Sequence, residues 1–101
     1  MLPKNRRLSA KEVRDVMKRG KGVRGVLVSI KFLQNQGMSK AAVVVSKSVA
    51  RLAVERNKIR RTVYNVLESA LPASGYAAVF FVQKNSPEAA EEIKKLCLKH
   101  F

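Results

Sequence analysis

The sequence predicts an α+β sandwich: a small sheet with helices packed over it, forming a single domain across residues 1–101. Three observations predict it. Apolar residues recur every three or four positions in three separate stretches, which is the helix period. Between these stretches lie the apolar runs 26–33, 41–46 and 76–83. Those runs are strand-sized and far shorter than the ~20 residues of a spanning helix. Finally, 47% of the 101 residues are hydrophobic, an ordinary share for a chain that buries a core.

Residues 1–8 are basic, contain Pro3, and read as an extended lead-in. Ser9 with Glu12 three residues on has the form of a capping box. Val13, Val16 and Met17 follow at helical spacing, and Gly20 ends that helix. Residues 21–25 form a Gly- and cation-rich link. In the strand 26–33, Val26, Val28, Ile30 and Phe32 alternate with Leu27, Ser29, Lys31 and Leu33. The first set is the more uniformly apolar and faces the core or a binding cleft. Residues 34–40 are polar around Gly37 and read as a hairpin turn. Residues 41–46 are almost continuously apolar, as expected where both faces are covered. Whether 22–24 pairs as a third strand is left open by the sequence.

The long central helix starts between Val49 and Val54. Leu52, seven residues before Ile59, favours an early start. Its stripe is Ile59, Val63, Val66, Leu67 and Ala70, and Pro72 and Gly75 stop it near Leu71. The strand 76–83 follows closely, so it forms a strand-helix-strand unit with 41–46. Ser86 and Pro87 open the last helix, Ser86 as N-cap. Ala89, Ile93, Leu96 and Cys97 make its inner face, while Glu91 and Glu92 offset Lys94 and Lys95.

Charge narrows the function. Twenty-one Lys and Arg against seven Asp and Glu give a net charge of +14. Self-repulsion on that scale is relieved by a polyanionic partner. Nucleic acid is the first candidate and an anionic membrane surface the second, with no spanning segment behind it. The cations concentrate at Arg56, Lys58, Arg60 and Arg61, with Asn57 among them. Asn57, Lys58, Arg60, Arg61 and Tyr64 fan around the helix face opposite the apolar stripe, and Arg56 falls near the border, where its stem packs and its guanidinium reaches out. Arg, Lys and Asn suit phosphate oxygens and base edges. Cys97 is the single cysteine, which excludes an internal disulfide and reads as a small core residue. With no apolar signal core after the basic N-terminus, the cytoplasm is the expected compartment. His100, the single histidine, lies beside the C-terminus, and the glutamates fall on helices or caps without any acid-base pairing. No nucleophile elbow, P-loop or metal-ligand spacing occurs, so a self-sufficient active site is not expected.

The ordered motifs resemble one family. Arg56-Asn57-Lys58-Ile59-Arg60-Arg61 resembles the Arg-Asn-Arg signature of the bacterial ribonuclease P protein subunit. Leu2-Pro3-Lys4-Asn5-Arg6-Arg7-Leu8, Lys18-Arg19-Gly20 and Val45-Ser46-Lys47 resemble further family segments in the right order. The resemblance covers nearly the whole chain. It implies an αβββαβα sandwich with a small mixed sheet and an unusual left-handed crossover. It also implies a protein that assists a catalytic RNA in removing the 5′ leader from precursor tRNA, with Mg2+ bound mainly by that RNA. The implied partners are ribonuclease P RNA and the leader, with neither a membrane nor a small-molecule substrate.

By the same resemblance, Arg56, Asn57, Lys58, Arg60, Arg61, Ser46 and Lys47 face the RNA. Lys58 replaces the second signature arginine and loses its planar fork; Tyr64 stands where an arginine is common. The implied leader cleft lies between the first helix and the sheet. Its candidates are Val13, Met17, Ile30, Phe32, Phe80 and Lys84, with Val13 and Met17 at positions usually aromatic. The alternative reading is a small structural RNA-binding protein of ribosomal type, carried by the same charge and the same basic helix. A protein-only nuclease is disfavoured by the missing acid cluster.

Overall fold

The computed structural model describes residues 3–101, so Met1 and Leu2 of the N-terminal motif lie outside the described residues. A 3₁₀ turn, Lys4–Arg6, leads into α1 (Ala10–Arg19), β1 (Lys21–Arg24), β2 (Val28–Met38) and β3 (Lys40–Val45). Then come α2 (Ala53–Ala70), β4 (Ser74–Val82) and α3 (Ala89–His100). The fold is α+β with a four-stranded mixed sheet in the order β1-β2-β4-β3. β1 pairs with β2, which settles the third strand. β4 is antiparallel to β2 and parallel to β3, giving the expected strand-helix-strand unit.

Helices cover both faces of the sheet. On one, Val63 and Leu67 of α2 and Ile93 and Cys97 of α3 pack on Val28, Ile30, Val43, Phe80 and Val82. Phe80 and Leu67 are fully buried, each contributing about 2 kcal/mol of apolar transfer. Burial pushes the Cys97 thiol up to about 11, as befits a core residue. On the opposite face the shorter α1 sets Val16 on Ala42 and Val79, with Val13, Leu33 and Phe81 around them. Its capping box forms as expected between Ser9 and Glu12. A side chain at Gly20 would meet the Val16 carbonyl at 2.4 Å, so only glycine permits this close exit from α1.

Several local expectations are corrected. Residues 34–38 are not a hairpin turn but a continuation of β2, and β4 separates β2 from β3. The register shifts between Gln34 and Met38, where Asn35 Nδ2 donates to the Met38 and Tyr76 carbonyls in place of ladder bonds. α2 begins late, at Ala53: Leu52 is extended and 62% exposed, and Ala50 is buried instead. Ser86 opens a turn ahead of α3, whose N-cap is Glu88. Glu91 pairs with Lys94 at 3.6 Å, but Glu92 has a different task.

The Glu92 carboxylate accepts backbone N–H bonds from Val26 at 2.9 Å and from Leu27 and Val28 at 2.6 Å. It thereby fixes the β1–β2 connection to α3. Gly25 is tight there, since a Cβ would lie 2.3 Å from the Val28 carbonyl. At the other end of the sheet, Arg6 donates to the carbonyls of Ser39 at 3.1 Å and Pro72 at 2.9 Å. Ser39 is fully buried, and its hydroxyl accepts from the Tyr76 N–H.

Two outcomes are expected. Glu92→Ala strands three backbone donors and lowers unfolding free energy by about 2 kcal/mol, read as a reduced urea midpoint at unchanged slope. The second concerns Glu12, whose carboxyl lies below its ordinary 4.5 chiefly through the Ser9 N–H bond, with Lys40 assisting against burial. Its stabilisation is present above the unfolded value and is lost as pH falls through the lower folded one. The decline in thermal midpoint between about pH 5 and 3 is therefore shallower in Glu12→Gln, whose amide oxygen still accepts from Ser9 but does not titrate in this range.

Candidate nucleic-acid interface

Helix α2 turns Ile59, Val63, Val66, Leu67 and Ala70 to the core, as its stripe predicts. The cations on its other side divide into two kinds. Arg56 is half-buried, and its Nη1 donates to the carbonyls of Ala50 at 3.0 Å and Arg51 at 2.9 Å. It ties the first turn of α2 to the loop 46–52. Arg60 Nη1 donates to Asn57 Oδ1 at 2.7 Å, so these two hold one another on the surface. Lys58 and Arg61 are exposed and point their charge at solvent. Tyr64 does not stand out as a free ring: its hydroxyl accepts from Val43 N–H at 3.3 Å, and the Arg7 guanidinium lies 5.2 Å over its face. Tyr64 and the Leu8 N–H, which donates to the Ala41 carbonyl, together occupy part of the outer edge of β3.

A groove opens where α1 stops. The ladder pairs place Arg24, Ser29, Phe81 and Val44 in one row across all four strands. Side chains directly opposite in a ladder share a face, here the face that carries α1. The neighbouring row through Val79 and Ala42 lies under Val16. The row through Phe81 lies at the margin of that cover, and Phe81 is half-buried. A hollow of about 480 Å³ runs along Met17, Arg24, Ser29, Lys31, Phe81 and Gln83. A second, of about 310 Å³, shares Phe81 and Gln83 and continues to Val44, Ser46 and Ser48. Lys31 Nζ donates to the Met17 carbonyl at 2.9 Å, which joins α1 to the groove wall. The Ser29 hydroxyl is buried there without a hydrogen-bond partner.

A family model described as Ribonuclease P matches residues 2–101. The chain belongs to the ribonuclease P protein family. Among solved structures it is similar to the RNase P protein from Thermotoga maritima, at 21% identity and a TM-score of 0.66, covering 92% of this chain and 89% of that one. It is also similar to the Staphylococcus aureus RNase P protein, at 20% identity and a TM-score of 0.69, covering 94% and 90%. These likenesses support the fold. No curated protein matches by sequence.

The ribonuclease P resemblance places six residues in a leader cleft, and the structure separates them. Met17 lines the first hollow, whereas Val13 packs on the covered Val16, Ala42 and Val79 cluster beside it. Ile30, Phe32 and Phe80 lie elsewhere: strand alternation turns their side chains to the α2–α3 side, where Phe80 is fully buried. Ile30 adds to the groove wall but is 1% exposed. Phe32 instead joins Tyr76 and Phe101 in an aromatic cluster. Lys84 faces a third hollow, of about 360 Å³, beside Lys58 and the α3 lead-in. Of the signature-flanking pair, Ser46 lines the second hollow, and its hydroxyl shares a 2.7 Å bond with that of Ser48; Lys47 is exposed.

Phe81, Ser29 and Arg24 were not among the sequence candidates. The available signal was parity: Phe81 has to face opposite to Phe80 and alongside Ser29 and Lys31. Among the described residues no helix is long and apolar enough to cross a membrane, and no three His, Cys, Asp or Glu residues gather as a cation would need.

The two kinds of cation on α2 separate in a stability measurement. Arg56→Ala releases the loop 46–52 and lowers the thermal midpoint by several degrees, for about 1 kcal/mol lost. Lys58→Ala and Arg61→Ala leave the midpoint within about 1–2 °C of the parent, as surface substitutions do.

Proposed function

We propose that this chain is the protein subunit that assists the catalytic RNA of ribonuclease P in removing the 5′ leader from precursor tRNA. The observation that carries the reading is the joining of two surfaces by one loop. The exposed cations of α2 stand on one side of residues 46–52, and the groove over Phe81 opens on the other. Phosphate contacts fix register without reading sequence, which is the task for Lys58, Arg61 and Lys47 on the RNA. Arg60 and Asn57 present a pre-oriented amide and guanidinium pair to the same partner. Arg56 acts in part by holding the loop from which Ser46 and Lys47 project. The groove beside Met17 takes the single-stranded leader.

Hydrolysis belongs to the RNA in this reading, together with the Mg2+ ions the RNA binds. The described protein residues offer no cluster that fits a divalent cation, so no step is assigned to a metal held by the chain. The protein's contribution is electrostatic: its net charge of +14 offsets phosphate repulsion where substrate and RNA meet.

The test is cleavage of a precursor tRNA at low magnesium by the organism's own ribonuclease P RNA. It is run with no protein, with the native chain, and with a Lys58→Ala, Arg61→Ala variant. The native chain is expected to stimulate cleavage, and the variant to need more protein and to show a log affinity–log salt slope shallower by about 1.5. Tight RNA binding with no stimulation would instead favour a structural RNA-binding protein.

A further inference from the structure

We propose that Phe81 is the base-stacking platform of the groove, seating one nucleobase of the single strand that crosses the sheet. The inference deepens the reading of the groove as a leader site and rests on it. Phe81 is the only aromatic side chain among the described residues on the α1 face of the sheet; Phe32, Tyr76 and Phe80 lie on the other. It is shared by both hollows, so a strand running from one to the other passes over its ring. Its row neighbours are small or short, Ser29 on one side and Val44 on the other, and the ring, packed at one edge on the α1 cluster, stays partly exposed. The four strands lie ~4.8 Å apart, so the row from Arg24 to Val44 spans about 14 Å, the reach of a few nucleotides.

The occupant follows from charge. Arg24 stands exposed at one end of the row, and Lys47 adjoins Ser46 beyond the other. A phenyl floor between cationic ends suits a base whose flanking phosphates reach the cations. Val13 and Met17 on α1 are aliphatic and offer no ring, so stacking in this groove falls to β4. Met17, half-exposed and unbranched, adapts to whichever base is seated.

The experiment uses the reconstituted protein–RNA enzyme and precursor tRNAs carrying 2-aminopurine at successive leader positions, with mature tRNA as reference. Native enzyme is expected to quench one leader position strongly and to bind precursor more tightly than mature tRNA. Phe81→Leu keeps the apolar volume and should abolish that quenching and reduce the precursor preference about tenfold. Phe81→Tyr should retain both, and neither variant should alter mature tRNA affinity or the thermal midpoint by more than a few degrees. Quenching and preference unchanged in Phe81→Leu would overturn the platform while leaving the groove as leader site. A native enzyme with no precursor preference at all would overturn the leader reading and the platform with it.

Discussion

β4 is the last strand in the sequence and lies inside the sheet, between β2 and β3. Everything else is arranged around that insertion. A strand paired on both edges and covered on both faces must be apolar along its length, and Ala78, Val79, Phe80 and Val82 are all buried. Phe81 departs from the pattern because the helix above it is too short. α1 has ten residues, enough to seal Val79 and Ala42 and to stop at the next row. The groove is therefore the unsealed remainder of a core. Its composition is set by register: a slip of one residue would exchange Phe80 with Phe81 and turn every side chain of β4 to the opposite face.

The elements were legible where local periodicity and local chemistry agree. The capping box at Ser9 and Glu12, the α2 stripe and the inner face of α3 all formed as their spacing predicts. What failed was nonlocal. Residues 34–40 look like a turn because they are polar, yet Gln34 pairs with Tyr76 and Met38 with Ser74 of β4, through an irregular register that Asn35 supports. Leu52 has the right spacing for α2, but Val49 and Ala50 take the core positions and leave it outside. Glu92 sits where a surface ion pair is the ordinary reading. Its use as an acceptor for three N–H groups depends on a connection 64 residues or more away in sequence. The site divides similarly. The basic run announced α2 as a charged face, whereas the groove residues on the sheet follow from strand order, which no local pattern encodes.

The cluster of cations on α2 also changes meaning once its bonds are known. Arg56 is committed to two backbone carbonyls, and Arg60 to Asn57. A planar guanidinium suits such fixed geometry better than an ammonium does. The lysine at position 58 stands instead at an exposed site and carries a mobile point charge with no fixed fork. Orientation and attraction are thus divided between side chains that look equivalent in sequence.

Arg6 joins the beginning of the described chain to two turns, at Ser39 and Pro72, which come together only when β4 is in place. During synthesis that residue emerges long before either carbonyl exists in its final position. The Arg6 bonds can accordingly form only once both turns are in place. Lys4, Arg6 and Arg7 all lie in this N-terminal segment. Their resistance to trypsin is a built-in gauge of whether the far end of the sheet has closed.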